Sequence, residues 1–173
     1  MIINQTYELE TVNLSGLPLA GLNIDAYEGD YAIDFTTPNP TGQGNGHISL
    51  GSGDFRGSSL LNSRFDRLTV RTVSGRIRLA FDGLSLEHDM IVQLESESGG
   101  VWLEIPGDIP AQITFTTDSG RVIKLEAGYE QVDSTIYETG GYHLGDSPRL
   151  HIVIDTVRGD LRLTNCQRTA SGA

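Results

Sequence analysis

The stretch Leu68-Thr69-Val70-Arg71-Thr72-Val73-Ser74-Gly75-Arg76-Ile77-Arg78-Leu79 decides the architecture. Leu68, Val70 and Thr72 alternate with polar residues, Ser74-Gly75 interrupts, and Ile77 and Leu79 resume the alternation on odd rather than even numbers. Side chains of a strand change face with a period of two, so an unbroken pleat cannot keep both sets on one face. The chain must turn or bulge at Ser74-Gly75, where glycine takes a positive φ without steric cost. The unit is therefore strand, glycine corner, strand, with one apolar face offered by both strands.

The corner recurs at Gly29, Gly53, Gly75, Gly99, Gly120, Gly140 and Gly159, at separations of 24, 22, 24, 21, 20 and 19 residues. Two residues after each corner stand Tyr31, Phe55, Ile77, Val101, Val122, Tyr142 and Leu161. Five residues before stand Ile24, Ile48, Val70, Leu94, Phe115, Thr135 and Ile154. Only Thr135 breaks the two columns, and a chain that is 38% apolar does not produce both by chance. Weaker columns lie seven before and four after the corner. They carry defects at Gly46 and Gly57 in the Gly53 unit, at Asp133 in the Gly140 unit, and at Lys124, where one extra residue shifts the apolar position to Leu125 and predicts a bulge. Connections such as the segment from Thr37 to Gly46 are rich in Pro, Gly, Asn and Asp, the residues of turns. No segment shows a helical stripe.

A unit of 20–24 residues cannot bury its apolar face alone, and stacking such units makes a continuous core. The expected fold is all-β, a stacked-rung β-solenoid of about seven units. The alternative is an antiparallel β-sandwich in which each corner closes a hairpin. One domain over residues 1–173 is expected, with 1–21 as an entry strand or cap (Tyr7, Leu9 and Thr11 alternate), 22–165 as the stack and 166–173 as a tail.

Composition bounds the function. The net charge is −11 with a pI near 4.6. Such a field repels phosphate backbones and anionic lipid heads, so neither nucleic acid nor a membrane surface is the expected partner. Mean hydropathy of −0.19 reads as a chain at home in water. Cys166 is the single cysteine, which excludes an internal disulfide framework. The start, Met1-Ile2-Ile3-Asn4-Gln5, has no basic and apolar leader, and no run of about 18 apolar residues is long enough to span a bilayer.

With those units in hand, the sequence resembles the bacterial putative-adhesin and toast-rack domains of unknown function. The resemblance rests on Thr72-Val73-Ser74-Gly75-Arg76-Ile77-Arg78-Leu79, Thr117-Asp118-Ser119-Gly120-Arg121-Val122 and Thr156-Val157-Arg158-Gly159-Asp160-Leu161-Arg162-Leu163, and it covers roughly residues 20–165. It implies stacked β rungs, a place on the outer side of the cell envelope, and no catalytic residues to carry over. The Gly29 and Gly53 units depart from the family's pattern, and a cytoplasmic location stays open because the chain shows no leader or membrane segment.

No catalytic constellation accompanies the repeat. There is no Gly-x-Ser-x-Gly elbow, and Ser74, Ser98 and Ser119 read as turn residues. His47, His88, His143 and His151 lack zinc spacing, and Glu87-His88-Asp89 reads as a solvated loop edge. Gly42-Gln43-Gly44-Asn45-Gly46 has no following Lys or helix with which to hold a phosphate. Asp25, Glu28, Asp30 and Asp34, with Asp54, Asp82, Asp108, Asp118, Asp146 and Asp160, put oxygen near turns where calcium could sit, but the calcium-binding nonapeptide repeat is missing and turn hydrogen bonding accounts for them. No cofactor and no metal site is expected. Trp102, between the inward Val101 and Leu103, points outward and is the candidate binding residue.

The expected function is a non-enzymatic interaction module of the cell envelope, adhesin-like, whose partner is an envelope protein or a glycan. Two alternatives are a polysaccharide-acting enzyme with paired carboxylates in a groove and a structural module that self-associates through its end rungs.

Overall fold

Every expected corner but Gly140 passes the chain from one sheet to the other, as the parity switch demands. The computed structural model describes residues 2–3, 10–42, 44–84, 86–145 and 147–166. Gln43, Ser85, Asp146, the Tyr7-x-Leu9 part of the entry segment and the tail from residue 167 lie outside the described residues. Strands β1 (Ile2–Ile3) and β2 (Glu10–Asn13) open the chain. Then β3 (Gly21–Glu28) turns at Gly29 into β4 (Tyr31–Asp34), and β5 (Asn45–Ser52) turns at Gly53 into β6 (Phe55–Ser58). In the same way β7 (Arg67–Ser74) leads to β8 (Ile77–Ala80), and β9 (Met90–Ser98) to β10 (Val101–Glu104). Next come β11 (Ala111–Thr117) and β12 (Val122–Leu125) about Gly120, the hairpin strands β13 (Tyr129–Gln131) and β14 (Ile136–Thr139), and finally β15 (Leu150–Thr156) and β16 (Leu161–Thr164) about Gly159.

The protein is all-β, with two open sheets. The first has the order β1-β3-β5-β7-β9-β15-β11-β14-β13 and the second β12-β16-β10-β8-β6-β4-β2. Corner-flanking strands of neighbouring units pair in parallel, long strand on long and short on short, as in Ile48↔Val70↔Leu94 and Phe55↔Ile77↔Val101. Antiparallel hairpins closed at the corners, as a sandwich would have them, do not form. β1 on β3 and β2 on β4 add an entry rung below the Gly29 unit.

One feature of the order is absent from any reading of the repeat. The last rung in the chain, β15–β16, lies between the rungs β9–β10 and β11–β12. β15 pairs with β9 on one side and β11 on the other, while β16 pairs with β10 and β12. The chain therefore skips a place after β10, lays down β11 and β12, caps the first sheet with the antiparallel β14–β13 hairpin, and returns to fill the gap.

The corners stack tightly. A Cβ on Gly53 would lie 2.1 Å from the Gly29 carbonyl oxygen, one on Gly75 2.0 Å from that of Gly53, and one on Gly99 1.8 Å from that of Gly75. The series continues in spatial order, with Gly159 at 2.1 Å from the Gly99 oxygen and Gly120 at 1.9 Å from the Gly159 oxygen. Gly29, Gly53, Gly75 and Gly99 also hold φ between 122° and 153°, whereas at Gly120 and Gly159 space alone is the constraint. Aspartates one residue past the corner join consecutive rungs: Asp30 Oδ1 accepts from Asp54 N at 2.7 Å, Asp54 Oδ1 from Arg76 N at 2.9 Å, and Asp160 Oδ1 from Arg121 N at 3.1 Å. Turn hydrogen bonding is what these carboxylates do.

The core lies between the sheets. Ile24, Ile48, Val70, Leu94, Phe115 and Ile154 are buried from the first sheet, and Tyr31, Phe55, Ile77, Val101 and Leu161 from the second. Phe35, Leu60, Phe65, Phe81 and Ile105 close the side away from the corners, with Phe35 and Phe65 edge to face at 5.7 Å. The defects of the Gly53 unit have a steric cause. A Cβ on Gly46 would meet Leu68 Cδ1 at 2.8 Å and Phe65 Cε2 at 3.0 Å, and one on Gly57 would press on Leu60 and Leu79. Larger neighbours occupy the volume those two positions leave.

The Gly140 unit is not a rung. Ile136–Thr139 pairs antiparallel with β11 and β13, and a turn follows from Gly140. Thr135 and Asp133 are exposed, Leu144 is 72% exposed, and Tyr142, expected in the core, is half-buried against the rings of His143 and His151 with Arg149 over it at 4.8 Å. Thr139 instead anchors the cap, its hydroxyl donating to Ile109 O at 2.5 Å and accepting from Ala111 N at 2.9 Å. The expected bulge past Gly120 is present between Val122 and Lys124, and it brings Leu125 opposite Leu163. Leu125 remains 43% exposed because β12 is the end strand of its sheet. The bulge and Lys124 are features that discourage a further strand from pairing there.

Corner packing predicts that Gly75→Ala destabilises the protein by more than about 2 kcal/mol, since it combines strained φ with a backbone clash. Gly140→Ala, where no atom lies within 4 Å of the added Cβ, is expected to change stability by less than about 0.5 kcal/mol. Urea denaturation of the two variants measures both, and equal losses would contradict the assignment of corners.

Candidate functional site

The short strands of the second sheet turn their +1, +3 and +5 positions, counted from the corner, outward. The +3 positions align across the sheet through the register Arg56↔Arg78↔Trp102↔Arg162. Trp102 is therefore flanked by an arginine on each neighbouring strand. Its outward orientation is as the alternation of Val101 and Leu103 requires, and the ring is half-buried. A Cβ on Gly100 would stand at ordinary contact distance from the indole, 3.4 Å from Nε1 and 3.8 Å from Cδ1.

Three guanidiniums surround the indole. Their central carbons lie 4.6 Å (Arg162), 5.1 Å (Arg78) and 5.5 Å (Arg76) from the ring centroid, within cation–π range. Two of them are also tied to carboxylates. Arg76 pairs with Asp54 at 2.5 Å and Arg78 with Glu104 at 3.0 Å. Arg162 makes no ion pair among the described residues, and its Nε is buried without a hydrogen-bond partner. Burial works to raise the Asp54 pKa, but the backbone and side-chain hydrogen bonds from Arg76, with the attraction of Arg76 and Arg56, outweigh it and hold the carboxyl below its ordinary value. The Arg76 pKa moves up, chiefly through its hydrogen bond to Asp54.

Between these side chains opens a cleft of about 70 Å³ lined by Asp54, Phe55, Arg56, Arg76, Arg78 and Trp102. A larger concavity of about 590 Å³ lies on the outer face of the first sheet, where Glu95, Glu97, Asp118 and Asp155 stand with Val73 and Val157. Its one lining arginine, Arg71, is bonded to Glu95. We take the smaller cleft as the candidate site because unlike groups converge there: an aromatic ring, guanidiniums and a fixed carboxylate. The larger one sets four carboxylates among hydroxyl and valine side chains, with no aromatic ring and its arginine already engaged.

The remaining sequence candidates are dispersed. Ser98 and Ser119 donate to the carbonyls of Val73 and Val157 at neighbouring corners. His88 Nδ1 lies 3.4 Å from Asp66, Glu87 pairs with Arg64, and Asp89 accepts from Arg149 N. His143 Nε2 lies 2.7 Å from Oε2 of the buried Glu138, whose Oε1 accepts from Gln112 at 2.7 Å. The glycine-rich connection is held from within by Asn39, which is 1% exposed and donates to the carbonyls of Leu19 and Ser63. Asn45 and Gly46 already belong to β5. Among the described residues no group of three or more His, Cys, Asp or Glu side chains is placed to hold a metal ion. The Cys166 thiol is pushed up to about 11, first by burial and then by nearby carboxylates.

The arginines around Trp102 escaped the sequence reading, although a signal was available. Arg56, Arg78 and Arg162 occupy the same place in their units as Trp102 does in its own, so the parity that turns Trp102 outward turns them outward too. The contact with Arg162 was not available, because it depends on the insertion of the last rung beside β10.

No protein-family model matches the chain, and no curated protein matches it. Among solved structures, the fold is similar to the crystal structure of a putative cell adhesion protein from Clostridium sporogenes, with a TM-score of 0.64 at 20% identity over 72% of this chain. The match spans 56% of that protein, so this chain corresponds to a little over half of its length. At that identity the likeness is one of fold. Among the described residues no helix is long and apolar enough to cross a membrane.

Loss of the Asp54 carboxylate loosens this face. Asp54→Asn is expected to cost at most about 1 kcal/mol at neutral pH, because the pair is partly exposed. A depressed carboxyl pKa adds stability above the ordinary aspartate value of 3.8, and that stability is lost as pH falls through the folded-state pKa. The gap between wild type and variant should therefore persist through neutral pH and close in acid below 3.8, as read by thermal unfolding across that range.

Proposed function

We propose that this chain is a non-enzymatic, adhesin-like interaction module of the cell envelope, which engages its partner through the outer face of the second sheet with Trp102 as the anchor. The observation that carries the reading is Trp102 itself, an outward aromatic ring held among three guanidiniums. Tryptophan and arginine are the residue types in which binding energy concentrates at interfaces. The ring is restrained by its neighbours before a partner arrives, which lowers the ordering cost of association. The structural neighbour, named as a cell adhesion protein, lends support from fold, and an extracytoplasmic location belongs to the same proposal.

The enzyme alternative has no observation in its favour. Among the described residues the carboxylates whose pKa moves, Asp54 and Glu126, both move downward, toward the ionised form and away from what a general acid needs. Self-association through the end rungs meets the bulged, Lys124-bearing edge of β12.

The test compares wild type and Trp102→Ala for binding to envelope material of the source organism, with thermal unfolding to verify the fold. The proposal expects a loss of about tenfold or more in affinity with the fold retained. Equal binding by a folded Trp102→Ala would contradict it.

A further inference from the structure

The cleft beside Trp102 has a specific chemistry. Its unengaged polar groups are donors: the Arg56 guanidinium, the outward N–H groups of Arg76 and Arg78, and the Trp102 Nε1–H, which has no protein acceptor among the described residues. The carboxylates at hand are already engaged, Asp54 and Glu104 by Arg76 and Arg78, and Asp30, which also attracts Arg76, by the Asp54 N–H. Three guanidiniums line the cleft against one carboxylate, Asp54, so the cleft itself is cationic in a chain of net charge −11. Arg56 is exposed and lies near Asp54 without a hydrogen bond or ion pair among the described residues. The ligand group that answers such a set is an oxyanion.

Size and field narrow the ligand further. A volume of about 70 Å³ suits one carboxylate-sized group rather than a length of polymer. The acidic remainder of the protein repels a polyanion beyond this patch, although a single charge placed in the cleft meets the guanidiniums at contact distance. An acidic protein segment fits less well. The flanking strands β6, β8 and β10 are paired on both sides, so no free edge is offered for strand addition, and further carboxylates on a peptide would enter the repelling field. The half-buried indole carries guanidiniums over its ring from both neighbouring strands, and its exposed edge supplies the apolar contact for the carbon-bound surface of a sugar.

We propose that this cleft is a subsite for the carboxylate of a single acidic sugar on an otherwise neutral glycan, with the sugar ring against Trp102 and the carboxylate among Arg56, Arg76 and Arg78. The proposal rests on the interaction reading above and names the ligand class for the same face. No bond is made or broken.

The experiment uses the full chain, whose single tryptophan reports on the site directly. Trp102 emission is titrated with cellobiouronic acid and with cellobiose, two disaccharides that differ by one carboxylate. The acidic sugar should produce a saturable change that weakens with added salt, and cellobiose should bind about tenfold more weakly. Arg56→Ala, an exposed substitution, should weaken the acidic sugar by about tenfold with an unchanged melting temperature. Equal binding of the two sugars, no response to either, or wild-type affinity in Arg56→Ala would overturn the proposal. So would a glutamate-rich peptide that shifts Trp102 emission where the acidic sugar does not. If Trp102→Ala loses envelope binding while neither sugar binds, the interaction reading stands and the sugar assignment falls. If the acidic sugar binds while Trp102→Ala still holds envelope material as wild type does, the subsite stands and the anchor reading falls.

Discussion

The close approach of backbone at the corners is the constraint on which the rest depends. From Gly29 to Gly120 in stacking order, each glycine after the first places its missing Cβ about 2 Å from the carbonyl oxygen of the glycine beneath it. That spacing lets the long and short strands of each unit pair with their counterparts at once, so two parallel sheets grow in register from a single turn. Parallel strands have no tight hairpin to hold their register. Here the corner does it, with the Asp30, Asp54 and Asp160 side chains reaching the next backbone N–H as a second tie. Any side chain at a corner pushes both sheets apart together.

The same geometry makes the rungs interchangeable in space, and the molecule exploits that. Because every rung offers the same two edges, the place skipped after β10 accepts β15 and β16. The cap is fastened across the gap by Tyr129, whose hydroxyl donates to Thr164 O at 2.9 Å and lies 3.3 Å from Ile105 O. Thr164 belongs to the inserted rung and Ile105 directly follows β10, so hairpin, early rung and late rung are joined at one side chain. The insertion also makes the candidate site. In chain order β12 would lie beside β10, with Lys124 in the register place that Arg162 holds; in the actual order Trp102 faces Arg162, which closes the guanidinium ring around the indole.

Much of this was legible in the residues. The parity switch at Gly75 and the columns at Ile24, Ile48 and Val70 identify corner, strands and core face, because burial on one face leaves a period-two record. The same parity places Trp102 outward. Rung order left no such record, since Val92 and Leu94 on β9, Ile113 and Phe115 on β11, and Ile152 and Ile154 on β15 are equally good neighbours for one another. Gly140 misled because the turn motif is shared by corners and ordinary loops; the exposed Asp133 and Thr135 before it were the sign that no core strand precedes it. Gly46 and Gly57 looked like defects because the side chains that fill their space, Phe65, Leu68 and Leu60, come from elsewhere in the stack.

The placement of the last rung is the central claim, and cross-linking tests it directly. In a Cys166→Ser background, Gln93→Cys with Val153→Cys puts thiols on register partners of adjacent parallel strands, roughly 4.8 Å apart and within disulfide reach. Gln93→Cys with Thr114→Cys puts them two strands apart, since Thr114 is the partner of Val153 on its far side, beyond the limit of about 7 Å. The account predicts that mild oxidation closes the first pair and leaves the second open. Closure of the second pair and not the first would mean that the rungs stack in chain order, and the contact between Trp102 and Arg162 would have to be abandoned.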